Sequence, residues 1–323
     1  MNESSNSGTA PVFILAPPRT YTSLTAAMLG QHPALYALPE VNLFAAETLG
    51  ELLALFASKP GLSHGLLRAV AELGLGGQSA DDVGAARDWL TENAAMPVAE
   101  AFALLASWSS PLRLVDKSPL YAMREGALQR INANAPDAFF VHLTREPLPT
   151  AESVVRFRTS IGRRTGRRSG RHNGRRVNAS GRHADLERFW REPHERILRF
   201  LAGVPEERQL RVKGEALLAN PGDELARIAR LLGLDAGDGA VDAMLHPERS
   251  PFACEGPPSA RYGNDPEFLK APALRMRAPS PAAAIPALPA EVAELAASLG
   301  YAPGDSATPM PEHHSPRTGT VDA

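Results

Sequence analysis

This sequence predicts an α/β domain built on a parallel sheet flanked by helices, and three observations predict it. Four short runs of near-continuous hydrophobicity, VFILA (12–16), LRLV (112–115), FFVHL (139–143) and QLRV (209–212), have strand length. Unbroken hydrophobicity of that length suits strands covered on both faces. The stretches between the runs carry apolar residues at helical spacing, and strands alternating with helices imply right-handed βαβ crossovers. The chain also has the material for a core: 323 residues, 44% of them apolar, can bury one large core or two modest ones.

Taken in order, residues 1–10 (MNESSNSGTA) are small and polar, and residues 303–323 are rich in Pro, Ser and Thr. Both read as disordered tails around a domain spanning 11–302. The first run leads into the turn Ala16-Pro17-Pro18-Arg19-Thr20-Tyr21, and Thr22 and Ser23 open a helix. Leu49, Leu52, Leu53 and Phe56 draw one apolar helical stripe. Ser118-Pro119 reads as N-cap and first residue of a helix whose face carries Leu120, Met123, Ala127 and Ile131. Asn220-Pro221 repeats that signal ahead of Leu225, Ile228 and Leu232, and Gly233 stands where a left-handed C-cap is wanted. Residues 156–182 break the pattern with ten arginines spaced by Gly, Ser and Asn. A mobile surface insertion is expected there, because so little apolar surface cannot offset the entropy of ordering. Its functional readings are an acidic protein partner or an anionic substrate; nucleic acid is disfavoured because no aromatic follows Phe157 until Phe189.

Thirty-four basic against 36 acidic residues leave a net charge of −2, which argues against a polyanion-coating protein. One cysteine, Cys254, excludes an intrachain disulfide and a cysteine-built zinc site. The opening lacks a basic start, the apolar run 12–16 is shorter than a signal core, and no stretch approaches the roughly 20 apolar residues of a membrane span. A cytoplasmic protein with no membrane association is the expectation.

The turn after the first strand holds the candidate chemistry. A strand, a short turn and a helix set unsatisfied N–H groups and a positive dipole end at the carboxyl edge of a sheet, where phosphates bind. Arg19 adds a planar fork of donors, and Thr22 and Ser23 add hydroxyls, so the turn asks for a phosphate or sulfate. A plain N-capped core helix is the alternative. The GxxxxGK[ST] spacing of an ATP or GTP site is missing. After FFVHL, Arg145 stands at a strand end and Ser153 lies eight residues on, within helical reach of one shared phosphate. Two such sites predict a ligand with phosphates at both ends of a nucleoside, its two pockets set apart by an adenosine length.

At these residues the chain resembles the sulfotransferases that use 3′-phosphoadenosine 5′-phosphosulfate (PAPS). "PPRTYTSLTAAMLGQHPALYALPE" is similar to that family's first motif and "TREPLPTAES" to its second. "VDKSP" (115–119) and "KGEALLANPGDELARIARLLGL" (213–234) are similar to two further segments. "GPPSARYGNDPEFL" (256–269) resembles a C-terminal loop of the branch embedded in polyketide synthases, and Pro39-Glu40 leans toward the same branch. The resemblance covers patches from about 11 to 270 and implies a P-loop-like sulfotransferase fold with PAPS as donor. It further implies Glu40 as base; Arg19 and Lys117 as stabilisers of the sulfuryl group and its leaving phosphate; Arg19, Thr20, Tyr21, Thr22 and Ser23 around the 5′ group; and Arg145 with Ser153 at the 3′-phosphate. No metal is implied, and the acceptor would be a hydroxyl on a small molecule or a carrier-protein-bound chain.

Three positions depart from the pattern: Tyr21 stands where the family usually has Gly, and Gly214 and Ala216 where it usually has Tyr and Asp. Structural roles compete with the catalytic ones. Glu40 could cap a helix beginning near Asn42, Lys117 could pair with Asp116 or Glu125, and Arg145 with Glu146. His246 reads as a solvated loop histidine. A nucleotide kinase or NTPase of related architecture, and a non-catalytic protein using the arginine-rich arm, are the rival functions.

Overall fold

Five parallel strands form one sheet: β1 (Val12–Leu15), β2 (Leu35–Ala37), β3 (Arg113–Asp116), β4 (Phe139–Thr144) and β5 (Gln209–Lys213). Their order is β2-β3-β1-β4-β5 in the computed structural model, which describes residues 10–164, 184–273 and 288–301. Val12 lies opposite Val115 on one side and Phe139 on the other, so β1 sits at the centre. All residues of β1 and β3 are buried, which accounts for their continuous hydrophobicity. Alternate residues supply opposite faces. Phe13, Leu15, Leu114 and Phe140 enter one core cluster, while Val12, Ile14, Val115, Val141 and Val212 enter the other. On the first face Phe13 lies 5.6 Å from Phe102 and 6.0 Å from Phe140, ring centroid to centroid.

The four expected strands are therefore present, displaced by a residue at some ends. β2 is additional; three residues, Leu-Tyr-Ala, at a sheet edge are too few to show a period. α1 (Thr22–Leu29) follows the first turn as expected. Thr48 caps the helix Leu49–Ala57 by accepting from the Glu51 N–H, and Leu49, Leu52 and Phe56 are its buried residues. The helix Pro221–Leu231 begins at the expected proline, and Gly233 takes φ 66° beyond its end.

Two expectations are corrected. The helix expected from Ser118 through Ile131 is two, Leu120–Met123 and Ala127–Asn134, separated by Gly126 at φ 77°. Ser118 caps neither: its hydroxyl donates to Asp116 Oδ1 at 3.0 Å and accepts the Asn42 N–H at 3.0 Å. The arginine-rich segment, expected as loop from 156, begins as helix, because Pro147–Arg164 runs into it. Arginine is a good helix former, and Ala151 and Val154 anchor the preceding turns in the interior. Residues 165–182 of that segment, residues 1–9 of the expected N-terminal tail 1–10 and the whole expected C-terminal tail 303–323 lie outside the described residues. No described helix is long and apolar enough to cross a membrane.

Near the C-terminus the helix Ala290–Ser298 packs with Trp190, and Tyr301 closes the edge between β4 and β5. Its hydroxyl meets Thr144 Oγ1 at 2.8 Å and donates to Glu215 Oε2 at 3.1 Å.

Candidate active site

The carboxyl ends of β1, β3 and β4 gather the chemistry, and the turn after β1 is where the backbone is strained. Arg19 (φ 71°) and Tyr21 (φ 57°) both adopt the left-handed region without being glycine. That conformation costs an L-residue roughly 1–2 kcal/mol, so neighbouring contacts must over-determine it. They do. The Arg19 carbonyl accepts Arg145 Nη1 at 2.7 Å, Arg19 Nε donates to Ser153 Oγ at 3.0 Å, and Arg19 Nη1 pairs with Asp265 at 2.5 Å. Tyr21 caps α1 backbone-first, its carbonyl accepting both the N–H (2.9 Å) and the hydroxyl (3.0 Å) of Thr25. Tyrosine thus takes the left-handed backbone itself, and Arg145 lies over its ring at 4.4 Å.

Lys117, one residue beyond β3, is fully buried. Its Nζ donates to Ser23 Oγ at 2.9 Å and pairs with Glu40 Oε1 at 2.9 Å, which supplies the counter-charge that a buried cation requires. The Glu40 carboxylate, 30% exposed, is the member of this pair that reaches solvent. Its backbone is clamped: the Glu40 N–H donates to Gly263 O at 2.7 Å, and a Cβ on Gly65 would stand 2.1 Å from the Glu40 carbonyl. Only glycine at 65 permits that approach. Next to Lys117, Asp116 turns away and accepts from Tyr121 (2.7 Å) and Ser118 (3.0 Å). Complete burial pushes the Asp116 carboxyl up to about 7, against the lowering effect of those two hydrogen bonds and of Lys117.

These contacts join into one network. From Arg145 it runs through the Arg19 carbonyl and side chain to Ser153 and Asp265; the Asp265 N–H donates to Ser23 Oγ at 2.9 Å, and Ser23 leads on to Lys117 and Glu40. Six residues singled out in the sequence, Arg19, Ser23, Glu40, Lys117, Arg145 and Ser153, are therefore brought together. Thr22 is the first residue of α1, and Thr20 is buried with its Oγ1 lacking a partner among the described residues. Arg145 Nε is buried without one as well, and burial lowers that guanidinium from its usual value. Lys117 faces neither Glu125 nor solvent, and Asn42, not Glu40, begins the short helix Leu43–Ala45. The strand-end groups expected to form two anion pockets an adenosine length apart include a direct contact in this structure, Arg19 Nε donating to Ser153 Oγ.

Asp265 is the member that residue-level reading missed. Its only signal was the loop 256–269; nothing local marks an aspartate that must find Arg19 across 246 positions. His246 pairs with Glu248 at 2.9 Å at the surface, and Cys254 is exposed, so neither joins the site.

A model of the sulfotransferase family matches residues 11–238. Among solved structures, the chain is similar to the sulfotransferase domain from the curacin biosynthetic pathway, with TM-score 0.70 and 24% identity over 91% of this chain and 99% of that one. It is similar, too, to the sulfotransferase domain from the Synechococcus PCC 7002 olefin synthase, with TM-score 0.69 and 26% identity over 91% of this chain and 96% of that one. No curated protein matches. The family match displaces the nucleotide-kinase alternative. A match over most of the chain, a five-stranded parallel sheet and a cluster of cations at its carboxyl edge lead to one assignment: the chain belongs to the sulfotransferase family.

Proposed function

We propose that this sulfotransferase takes its sulfuryl group from PAPS and delivers it to a hydroxyl of a carrier-bound or small-molecule acceptor, with Glu40 as the base. One observation carries the reading: Glu40, Lys117, Ser23, Arg19, Ser153 and Arg145 share a single hydrogen-bonded network at the strand ends. The residues fit a dianionic nucleotide. Arg145 Nε and Thr20 Oγ1 are buried donors without partners among the described residues, and an internal carboxylate, Asp265, already sits on Arg19 as an anionic oxygen would.

The donor supplies an SO₃ unit whose S–O bond to phosphate breaks as a new S–O bond to the acceptor oxygen forms. Glu40 takes the acceptor's proton, a role for a solvent-reaching carboxylate oriented by a fixed cation. Lys117 and Arg19 neutralise charge on the leaving phosphate, which preorganised cations do best where water is excluded. Ser23, Thr22 and the backbone of the turn hold the 5′ side, and Arg145 with Ser153 holds the 3′-phosphate. Likeness to a domain of an olefin synthase, together with the loop 256–269, favours a hydroxylated acyl chain on a carrier as acceptor.

Calorimetric titration with adenosine 3′,5′-bisphosphate tests the donor site. Arg145→Ala should weaken binding by about 1.5–3 kcal/mol, the worth of hydrogen bonds to a charged group; unchanged affinity would refute the 3′ assignment. Glu40→Gln should keep nucleotide affinity within about 3-fold and lower turnover by roughly 10²- to 10⁴-fold.

A further inference from the structure

Tyr21 and Gly214 are 193 positions apart, and both are places where the chain departs from the pattern it otherwise resembles. In space they are one feature. Gly214 opens the helix Gly214–Ala219 directly after β5, and a Cβ built there would stand 2.4 Å from Tyr21 Cδ2 and 3.0 Å from Cε2. Any side chain at 214 would displace the tyrosine ring. The Arg145 guanidinium lies over that ring, 4.4 Å from its centroid, while its Nη1 is tied to the Arg19 carbonyl at 2.7 Å. The strand end that carries Arg145 is anchored separately, the Trp190 indole N–H donating to the Arg145 carbonyl at 2.8 Å. Backbone and one nitrogen of Arg145 are thus held by other groups, and its Cζ rests over the ring.

We infer that Tyr21 is a positioning residue for the 3′-anion site: its ring, seated in space that Gly214 leaves open, orients the Arg145 fork toward the nucleotide's 3′-phosphate. The inference rests on the donor site proposed above and adds to it how the arginine is aimed. A guanidinium stacked on an aromatic face loses rotational freedom while its edge donors stay available, so bidentate capture of a phosphate needs less ordering on binding. The left-handed backbone at Tyr21 has the same logic. A strained tyrosine is retained because its ring, unlike a glycine, contributes a surface on which Arg145 rests.

The test compares adenosine 3′,5′-bisphosphate with adenosine 5′-monophosphate, the ratio of their dissociation constants reading the 3′-phosphate alone. A wild-type chain that does not discriminate between them would defeat the donor-site reading itself, before Tyr21 is at issue. Given discrimination, Tyr21→Asn is the informative variant, because asparagine tolerates the left-handed backbone and removes only the ring. It should cut the preference for the bisphosphate over the monophosphate by about 3- to 30-fold, the range of a cation–π contact. Tyr21→Phe, which keeps the ring, should retain the preference. Gly214→Ala reports independently should Tyr21→Asn fold poorly: its methyl group should push the ring aside and lower the same ratio with Tyr21 still present. Equal losses for both nucleotides, or a ratio unchanged in Tyr21→Asn and Gly214→Ala, would overturn the inference.

Discussion

β4 leads to two buried polar clusters that meet burial in opposite ways. Just beyond its end, Arg145 enters a network of paired charges, with two strained residues and buried donors left over. Inside the strand, His142 shares a hydrogen bond of 2.9 Å with His194, both fully buried, and the Trp190 ring stands 4.8 Å from His194. Among the described residues no carboxylate hydrogen-bonds to either imidazole. Burial lowers the His142 imidazole well below its ordinary range and His194 to about 3, and Arg211 pushes both the same way. The pair is therefore neutral, a polar pin between β4 and the helix Glu192–Leu201. Charge is kept where a charged ligand would meet it and is absent where only two elements must be joined. Burial alone does not single out a candidate site; charge held at the strand ends does.

The largest test of this contrast is Lys117→Met. Removing the cation between Ser23 and Glu40 should lower turnover by roughly 10²- to 10³-fold, the cost of losing one preorganised charge. A loss under about 5-fold would mean that the charged cluster is no more functional than the histidines. Next comes His194→Phe. Unfolded imidazoles take up protons below pH 6.5 that the folded pair refuses, so stability should fall as pH drops from 6.5. Urea melts between pH 4 and 7 should show a shallower acid loss in the variant with turnover retained; an unchanged slope would remove the pair from the account.

Asp116→Asn probes the opposite sign within the site. Its carboxyl is raised to about 7 in the folded chain from 3.8, so between those values the folded state holds a proton that the unfolded state has released. Stability from this group accordingly declines as pH rises toward 7, and the variant should lose that decline. Parallel melts of the two proteins check it, and identical profiles would sink it. Cys254→Ser should matter least. An exposed thiol outside both clusters predicts a stability change within about 0.5 kcal/mol and unaltered turnover.

Much of the fold was legible because its signals are local. β1, β3 and β4 are covered on both faces or nearly so, and their apolar runs say this without help from the rest of the chain; β5, with Val212 its one buried residue, shows a shorter and weaker run. Pro221 and Gly233 mark a helix through dihedral preferences that belong to the residues themselves. β2 was not legible, being three residues at an edge, and neither was the break at Gly126, since an apolar stripe continues across it and conceals the positive φ. In the site, Arg19 and the Arg145–Ser153 pair stood out because strand ends are where anions bind. The carboxylate of Asp265 on Arg19 and the ring of Tyr21 in the space of Gly214 did not.

By itself, then, the sequence determined the strand–helix alternation, the two strand-end arginines and the acid after Pro39. Only the tertiary structure decided that Arg19 meets Ser153, that Lys117 turns inward to Glu40, and that the ring of Tyr21 fills the space a side chain at Gly214 would take. The reason is range. Hydrophobic period and backbone preference act over a few residues, whereas a salt bridge or a vacant Cβ position depends on which distant segments the sheet order brings side by side.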